Sequence, residues 1–121
     1  MIAIRGATTI SKNTSEEIKA ASIELFEQIQ LVNNIDINKI VSIFFSCTRD
    51  ITADYPGKHV REYFNLNNVS FMHFNEMYVE NSLPLCIRIL VQVEGTKNLN
   101  TRYVYLKEAK TLRSDLFPLE F

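Results

Sequence analysis

Cys86-Ile87-Arg88-Ile89-Leu90-Val91-Gln92-Val93 is the run that decides the fold, because it reads as a buried β-strand interrupted by one charge. The predicted strand covers Leu85 to Glu94, with Ile87, Ile89, Val91 and Val93 along one face and Arg88 on the other. A guanidinium stays charged at any biological pH and is almost never fully buried without a partner. Something anionic should therefore sit against Arg88, either a carboxylate of the chain or a ligand. Glu76 is the partner the chain itself offers. Arg5, Lys58 and Arg61 are further cations that suit an anionic ligand. A structural ion pair and a pocket for a small acid are both open at this point.

Upstream, Ile2 to Ile10 has strand propensity, with Ile2 and Ile4 on one face and Ala3, Arg5 and Ala7 on the other. Gly6 allows a kink or a close backbone approach beside Arg5. Thr14-Ser15-Glu16-Glu17 fits a capping box and opens the clearest helix. Its two acids suit the positive end of the helix dipole. Ile18, Ala21, Leu25, Phe26, Ile29 and Val32 then form one apolar stripe, and Asn33-Asn34 ends it. Ile35 to Lys39 reads as a turn or a single helical turn, and Ile40 to Thr48 as an apolar strand.

After a loop from Asp50 to Tyr55, Pro56 stands at a first helical position and starts a short helix to Phe64. Lys58 and Arg61 share one of its faces, Val60 and Phe64 another. Val69 to Asn75 and Tyr103 to Leu106 are the remaining predicted strands, and the tail from Lys107 is expected to pack loosely. The order is β-α-β-α-β-β-β. It predicts an α+β fold, a mixed sheet of about five strands with both helices on one face. The uncovered face then needs a partner, which an oligomer supplies.

The 121 residues form one expected domain, 1–121. Hydrophobic residues make up 46% and charged residues 22%, and the formal net charge is −1. With the Lys and Arg residues spread along the chain, no nucleic-acid or membrane surface is indicated. The start lacks the features of a signal peptide, and no apolar run is long enough to span a bilayer. Cys47 and Cys86, each in an apolar segment, read as buried free thiols in a reducing cytoplasm.

Glycine occurs only at positions 6, 57 and 95, too few for a dinucleotide fingerprint or a P-loop. His59 and His73 are not at metal-ligand spacing, and no Gly-x-Ser-x-Gly elbow exists. The residues left to carry chemistry are Arg5, Lys58, Arg61, Glu76, Arg88, Tyr105 and Arg113. Each has a plain structural reading. Lys58 and Arg61 can be a solvated helix face, Arg5 an edge-strand charge, Tyr105 a core aromatic, and Glu76 with Arg88 a self-neutralising pair.

Several short words occur together in a particular order. They are Ile4-Arg5-Gly6-Ala7-Thr8-Thr9, Tyr55-Pro56-Gly57-Lys58 with Arg61-Glu62, and Glu76-Met77. Cys86-Ile87-Arg88, Val104-Tyr105-Leu106 and Leu112-Arg113-Ser114-Asp115 complete the series. Across nearly the whole chain this set resembles the monofunctional chorismate mutases of the trimeric, Bacillus-type class. The resemblance implies a homotrimer with a pseudo-α/β-barrel shape and active sites in clefts between subunits. It also implies the rearrangement of chorismate to prephenate, in the phenylalanine and tyrosine branch of aromatic amino-acid biosynthesis, without cofactor or covalent intermediate.

By the same resemblance, Arg88 would hold the ether oxygen as its bond breaks and Glu76 would accept from the ring hydroxyl. Arg5 and Tyr105 would clamp the enolpyruvyl carboxylate. Tyr55, Gly57, Lys58 and Arg61 would add substrate contacts and long-range attraction, and Leu112 and Arg113 would close a mobile tail, about 110–121, over the ligand. The family's pattern has a cysteine three residues before the glutamate, and here that position is His73. His73 is expected either to hydrogen-bond Glu76 or the substrate hydroxyl, which would make the rate pH-dependent near neutrality, or to be an interface or core histidine. The contact with Glu76 would need a bulge or the strand's end, because residues three apart point to opposite faces. Two other readings are an imine deaminase on a similar Rid-type scaffold and a non-catalytic sensor of an aromatic-pathway acid. Scarce glycine argues against the first, and the joint presence of Arg5, Glu76, Arg88 and Tyr105 against the second.

Overall fold

A computed structural model describes residues 1–95 and 101–113. Its strands are β1 (Ile2–Thr9), β2 (Ile40–Cys47), β3 (Ser70–Asn75), β4 (Cys86–Val93) and β5 (Val104–Tyr105). They form one mixed sheet in the order β3-β2-β4-β1-β5. Strand β4 runs antiparallel to both neighbours, while β3 and β5 pair parallel to β2 and β1. Helices α1 (Ser15–Asn33) and α2 (Pro56–Tyr63) supply the crossovers, with one 3₁₀ turn at Ile37–Lys39 and a 3₁₀ segment at Lys107–Arg113. The five-stranded α+β architecture expected from the sequence is present.

Both helices pack on one face. Ile18, Leu25, Phe26 and Ile29 of α1 and Val60 of α2 share a core with Ile4, Ile43, Phe45, Ile87, Ile89 and Val91. Burying each such large side chain is worth about 1.5–3 kcal/mol, so this layer holds the fold together. The Phe26 and Phe64 rings meet at 4.8 Å and tie the two helices to each other. Gly6 lies where β5 pairs alongside β1: an added Cβ would come within 2.7 Å of the Val104 carbonyl oxygen. Only glycine permits that approach.

Helix α1 starts as read, with the Thr14 hydroxyl accepting the Glu17 N–H. The Glu17 carboxylate, however, reaches past Thr14 to accept the N–H groups of Ser11 and Lys12. The Ser11 hydroxyl donates to the same oxygen, and that bond first, with the two N–H bonds, holds its pKa low. Asn34 closes the helix in the left-handed conformation. Two details of the predicted stripe change. Val32 is 43% exposed in the last turn, and Ser22 is buried in the stripe, its hydroxyl satisfied by the Ile18 carbonyl.

The other face of the sheet is covered at its β1–β5 side, where Ala109 and Leu112 pack with Ala7 and Tyr105, and is open over β2 and β3 in the single chain. Strand registers align Phe74, Ser46, Arg88, Ala7 and Tyr105 in one row across it. The next row holds Met72, Phe44, Leu90 and Arg5. Arg88 was expected in a buried strand, but its side chain is 44% exposed. Apolar composition identifies β4 as central without saying that only one of its faces is roofed. Met72 and Phe74 are half exposed on the same face.

Residues 110–113 of the expected mobile tail belong to the 3₁₀ segment, anchored by fully buried Ala109. Ser114, Asp115 and the rest of the tail lie outside the described residues.

Candidate active site

The face away from the helices builds one group of candidate residues around Arg88. Strand β3 ends at Asn75, and the Glu76 N–H donates to the Cys47 carbonyl at 2.8 Å, which fixes Glu76 beside the end of β2. From there Glu76 Oε1 meets Arg88 Nε at 3.0 Å and accepts the Ser46 hydroxyl at 3.0 Å. The contact runs between Nε and Oε1. Ala7, directly opposite Arg88 on β1, is small and fully buried. Arg5 lies two residues along from Ala7, the diagonal position to Arg88, where side chains start about 7–8 Å apart.

Tyr105 is 4% exposed at the end of the Arg88 row. Leu112 packs against it in a small cluster with Ala7, Cys86 and Ala109. The Arg113 guanidinium lies 6.0 Å from the Tyr105 ring and 5.8 Å from the Tyr103 ring, and Arg5 lies 5.0 Å from Tyr103. Two cations thus lie against the Tyr103 ring. Arg5, Glu76, Arg88, Tyr105, Leu112 and Arg113 therefore gather on one side of the molecule. Tyr103 joins them without having been singled out in the sequence.

The second group stands at the opposite edge, on α2 and β3. Tyr55 is 64% exposed, and Lys58 pairs with Asp54 at 3.6 Å. Arg61 is exposed one turn on. A pocket of about 510 Å³ is lined by Asp54, Tyr55, Pro56, His73, Phe74 and Asn75, together with Cys47 and the loop before Asp54. Asp54 organises this edge, accepting the Ser15 hydroxyl, the Tyr55 N–H and a contact from His59 Nε2 at 2.9 Å. Those hydrogen bonds, Ser15 first, hold its carboxyl far below the usual range. His59 is buried here; nothing in its spacing signalled a partner five residues earlier.

Of the readings left open for His73, the hydrogen bond to Glu76 is absent within the chain, and the ring lies on the core side of the sheet. Its ring pairs in register with Phe45 on the helix-covered face, while Glu76 serves the other face. No bulge brings the two together; instead His73 Nε2 accepts the Gly57 N–H at 2.9 Å. Burial lowers its pKa, which moves any pH dependence from neutrality toward acid.

A smaller pocket of about 220 Å³ adjoins Glu76 and includes Thr48, Arg49, Tyr78 and Leu83, with Arg49 stacked 3.9 Å from the Tyr78 ring. Arg49 is a cation near the site that the sequence reading passed over, since it lies in a loop with no periodicity. A third pocket, of about 430 Å³ beside Ile2, Val32 and Lys39, holds none of the candidate residues. Cys47 and Cys86 are free and buried, their thiols pushed up to about 12 and about 11 mainly by burial, so neither is a thiolate at neutral pH. Among the described residues there is no group of three or more His, Cys, Asp or Glu that could hold a metal, and no helix long and apolar enough to cross a membrane.

This chemistry is cationic and hydrogen-bonding, without a nucleophile, and it has close relatives. The chain is 36% identical over 114 residues to chorismate mutase AroH of Bacillus subtilis, covering 93% of this chain and 90% of that protein. It is 34% identical over 115 residues to chorismate mutase AroH of Thermus thermophilus, covering 93% of each. A solved chorismate mutase from Clostridium thermocellum superposes with a TM-score of 0.87 at 35% identity, over 92% of this chain and 99% of that one. The sequence model of the family described as chorismate mutase type I matches residues 1–116. The chain belongs to the type I chorismate mutase family.

Proposed function

We propose that this chain converts chorismate to prephenate at a site centred on Arg88, in the aromatic amino-acid pathway. Family membership supports the reaction, and the Arg88–Glu76 pair in the middle of the uncovered sheet face is the observation that carries the mechanism. Chorismate brings two carboxylates, a ring hydroxyl and an ether oxygen. The reaction breaks the ether C–O bond and forms a C–C bond within one molecule, so it needs folding of the substrate and a counter-charge, with no electrons or groups supplied from outside.

In this reading the Nη nitrogens of Arg88 donate to the ether oxygen. Negative charge grows there only as the bond breaks, so the interaction is stronger in the transition state than in the substrate. Glu76 fixes the guanidinium through Nε, and its second oxygen accepts from the ring hydroxyl. Arg5, with the Tyr105 hydroxyl, clamps the enolpyruvyl carboxylate, and Arg113 with Leu112 encloses it. These contacts hold the chair-like conformer in which the bonding carbons meet.

The remaining carboxylate falls to the second group: Lys58 and Arg61, with Tyr55, the Gly57 backbone and His73 forming the wall behind them. Within one chain the two groups sit at opposite edges of the sheet. A closed head-to-tail ring brings the α2 edge of one copy onto the Arg88 face of the next. The exposed Met72 and Phe74, with Phe44 and Leu90 beside them, favour such an assembly because a monomer would leave this apolar face in water. A homotrimer of single-domain subunits, working in the cytoplasm without a cofactor, is the form proposed. The test is purified protein with chorismate alone. Loss of chorismate absorbance with prephenate as the product supports the reading, and an inert protein refutes it.

A further inference from the structure

Helix α2 begins without a side-chain cap: Tyr55 occupies the cap position and makes no capping bond, and Pro56 has no N–H. The first free donor of the helix is therefore the Gly57 N–H, and it is taken by His73 Nε2 at 2.9 Å from a different element, β3. The fit is tight. A Cβ on Gly57 would stand 2.8 Å from both Cε1 and Nε2 of the ring and 3.0 Å from Phe71. The ring is further fixed by stacking on Phe45 at 5.6 Å with planes 13° apart, and by the edge contact with Tyr55 at 5.1 Å.

We propose that His73 is a positioning residue: its neutral imidazole caps α2 from across the sheet and thereby sets Tyr55, Lys58 and Arg61 for the substrate. This deepens, and rests on, the reading of α2 as half of the active site. An acceptor at Nε2 requires the tautomer with the proton on Nδ1. A protonated ring would lose the bond and would place positive charge at the positive end of a helix. The cap is therefore lost in acid. The titratable groups around the same pocket are Asp54, Tyr55 and Cys47, with Lys58 and His59 on α2. Asp54 is already engaged by Ser15, the Tyr55 N–H, His59 and Lys58, leaving His73 as the imidazole bonded to the helix N-terminus.

Two measurements on the intact protein test this. Nitrogen-15 NMR of the wild-type imidazole at pH 8 should show Nε2 unprotonated and Nδ1 protonated; a proton on Nε2 overturns the proposal whatever the activity. In kinetics, His73→Leu should raise KM about fivefold or more with kcat little changed, as expected for loss of a cap that affects binding. His73→Gln, whose amide oxygen can accept the Gly57 N–H, should recover most of the KM. Its KM should also lack the acid rise expected of wild type below pH 6.5, the ordinary histidine value. An unchanged KM in His73→Leu, or the same acid rise in His73→Gln, overturns the positioning role. A wild-type protein with the stated tautomer but no turnover of chorismate would uphold the cap and overturn its link to this reaction.

Discussion

Replacing Arg88 with alanine separates catalysis from folding more sharply than any other change. The guanidinium is 44% exposed in the single chain, and its partner in the ion pair, Glu76, is 28% exposed. A pair so open to solvent contributes about 0–1 kcal/mol to stability, so the variant should fold and melt within a few degrees of wild type. Catalysis should respond very differently. Losing one preorganised donor to developing charge costs about 3–4 kcal/mol, which at about 1.4 kcal/mol per tenfold is a fall in kcat of about 10²–10³. A full positive charge, and a Glu76 carboxylate that loses its guanidinium partner, push the loss toward or past the upper end. KM should change much less, because Arg5 and Arg113 still hold the carboxylate. Arg88→Lys should recover little, since one ammonium cannot serve Glu76 and the ether oxygen together. The assay is chorismate consumption beside a thermal melt. An Arg88→Ala protein with kcat within tenfold of wild type would refute the argument, and one that fails to fold would show that the pair is structural.

Other outcomes follow from the same geometry. Arg113→Ala should chiefly raise KM, because the side chain flanks the Tyr103 and Tyr105 rings beside the proposed carboxylate site; an unchanged KM measured by initial rates would reject its binding role. Leu90→Asp places a charge on the uncovered apolar face and should dissociate the assembly, read as a drop in mass by light scattering, while circular dichroism stays native. Retention of the wild-type mass would mean that this face is not the contact. Acid should destabilise the chain in two stages. The pKa of His73 is lowered by burial, so the unfolded state binds its proton first and stability falls as pH drops below 6.5. Asp54, depressed by its hydrogen bonds, stabilises the fold above 3.8 and loses that contribution only as pH falls further. Tm measured against pH should therefore decline in both windows, and His73→Gln should flatten only the upper one.

Periodicity carried most of the fold. The α1 stripe and the Ile87, Ile89, Val91, Val93 face were readable because each repeats one geometry several times against a single core. Arg88 stood out as a charge in an apolar run, but its 44% exposure in the single chain was not legible, since an apolar strand does not reveal which of its faces a helix covers. The choice between the two readings of His73 was not legible because its contact depends on the parallel register of β2 and β3, which aligns it with Phe45 and points it toward Gly57. That register is a tertiary fact with no local signal. The same holds for Asp54 with His59, for Tyr103 between two arginines, and for Arg49 against Tyr78. Each is a loop or cap contact joined by the fold rather than by spacing.

The proposed site takes its two halves from different copies, and subunit mixing tests that directly. Arg88→Ala and a Lys58→Ala/Arg61→Ala protein, each inactive alone, would be unfolded together and refolded as a one-to-one mixture. If each site joins the Arg88 face of one copy to α2 of the next, about a quarter of the sites in random closed rings carry both intact halves, and activity should return to that level. A mixture no more active than its components would contradict a site shared between subunits.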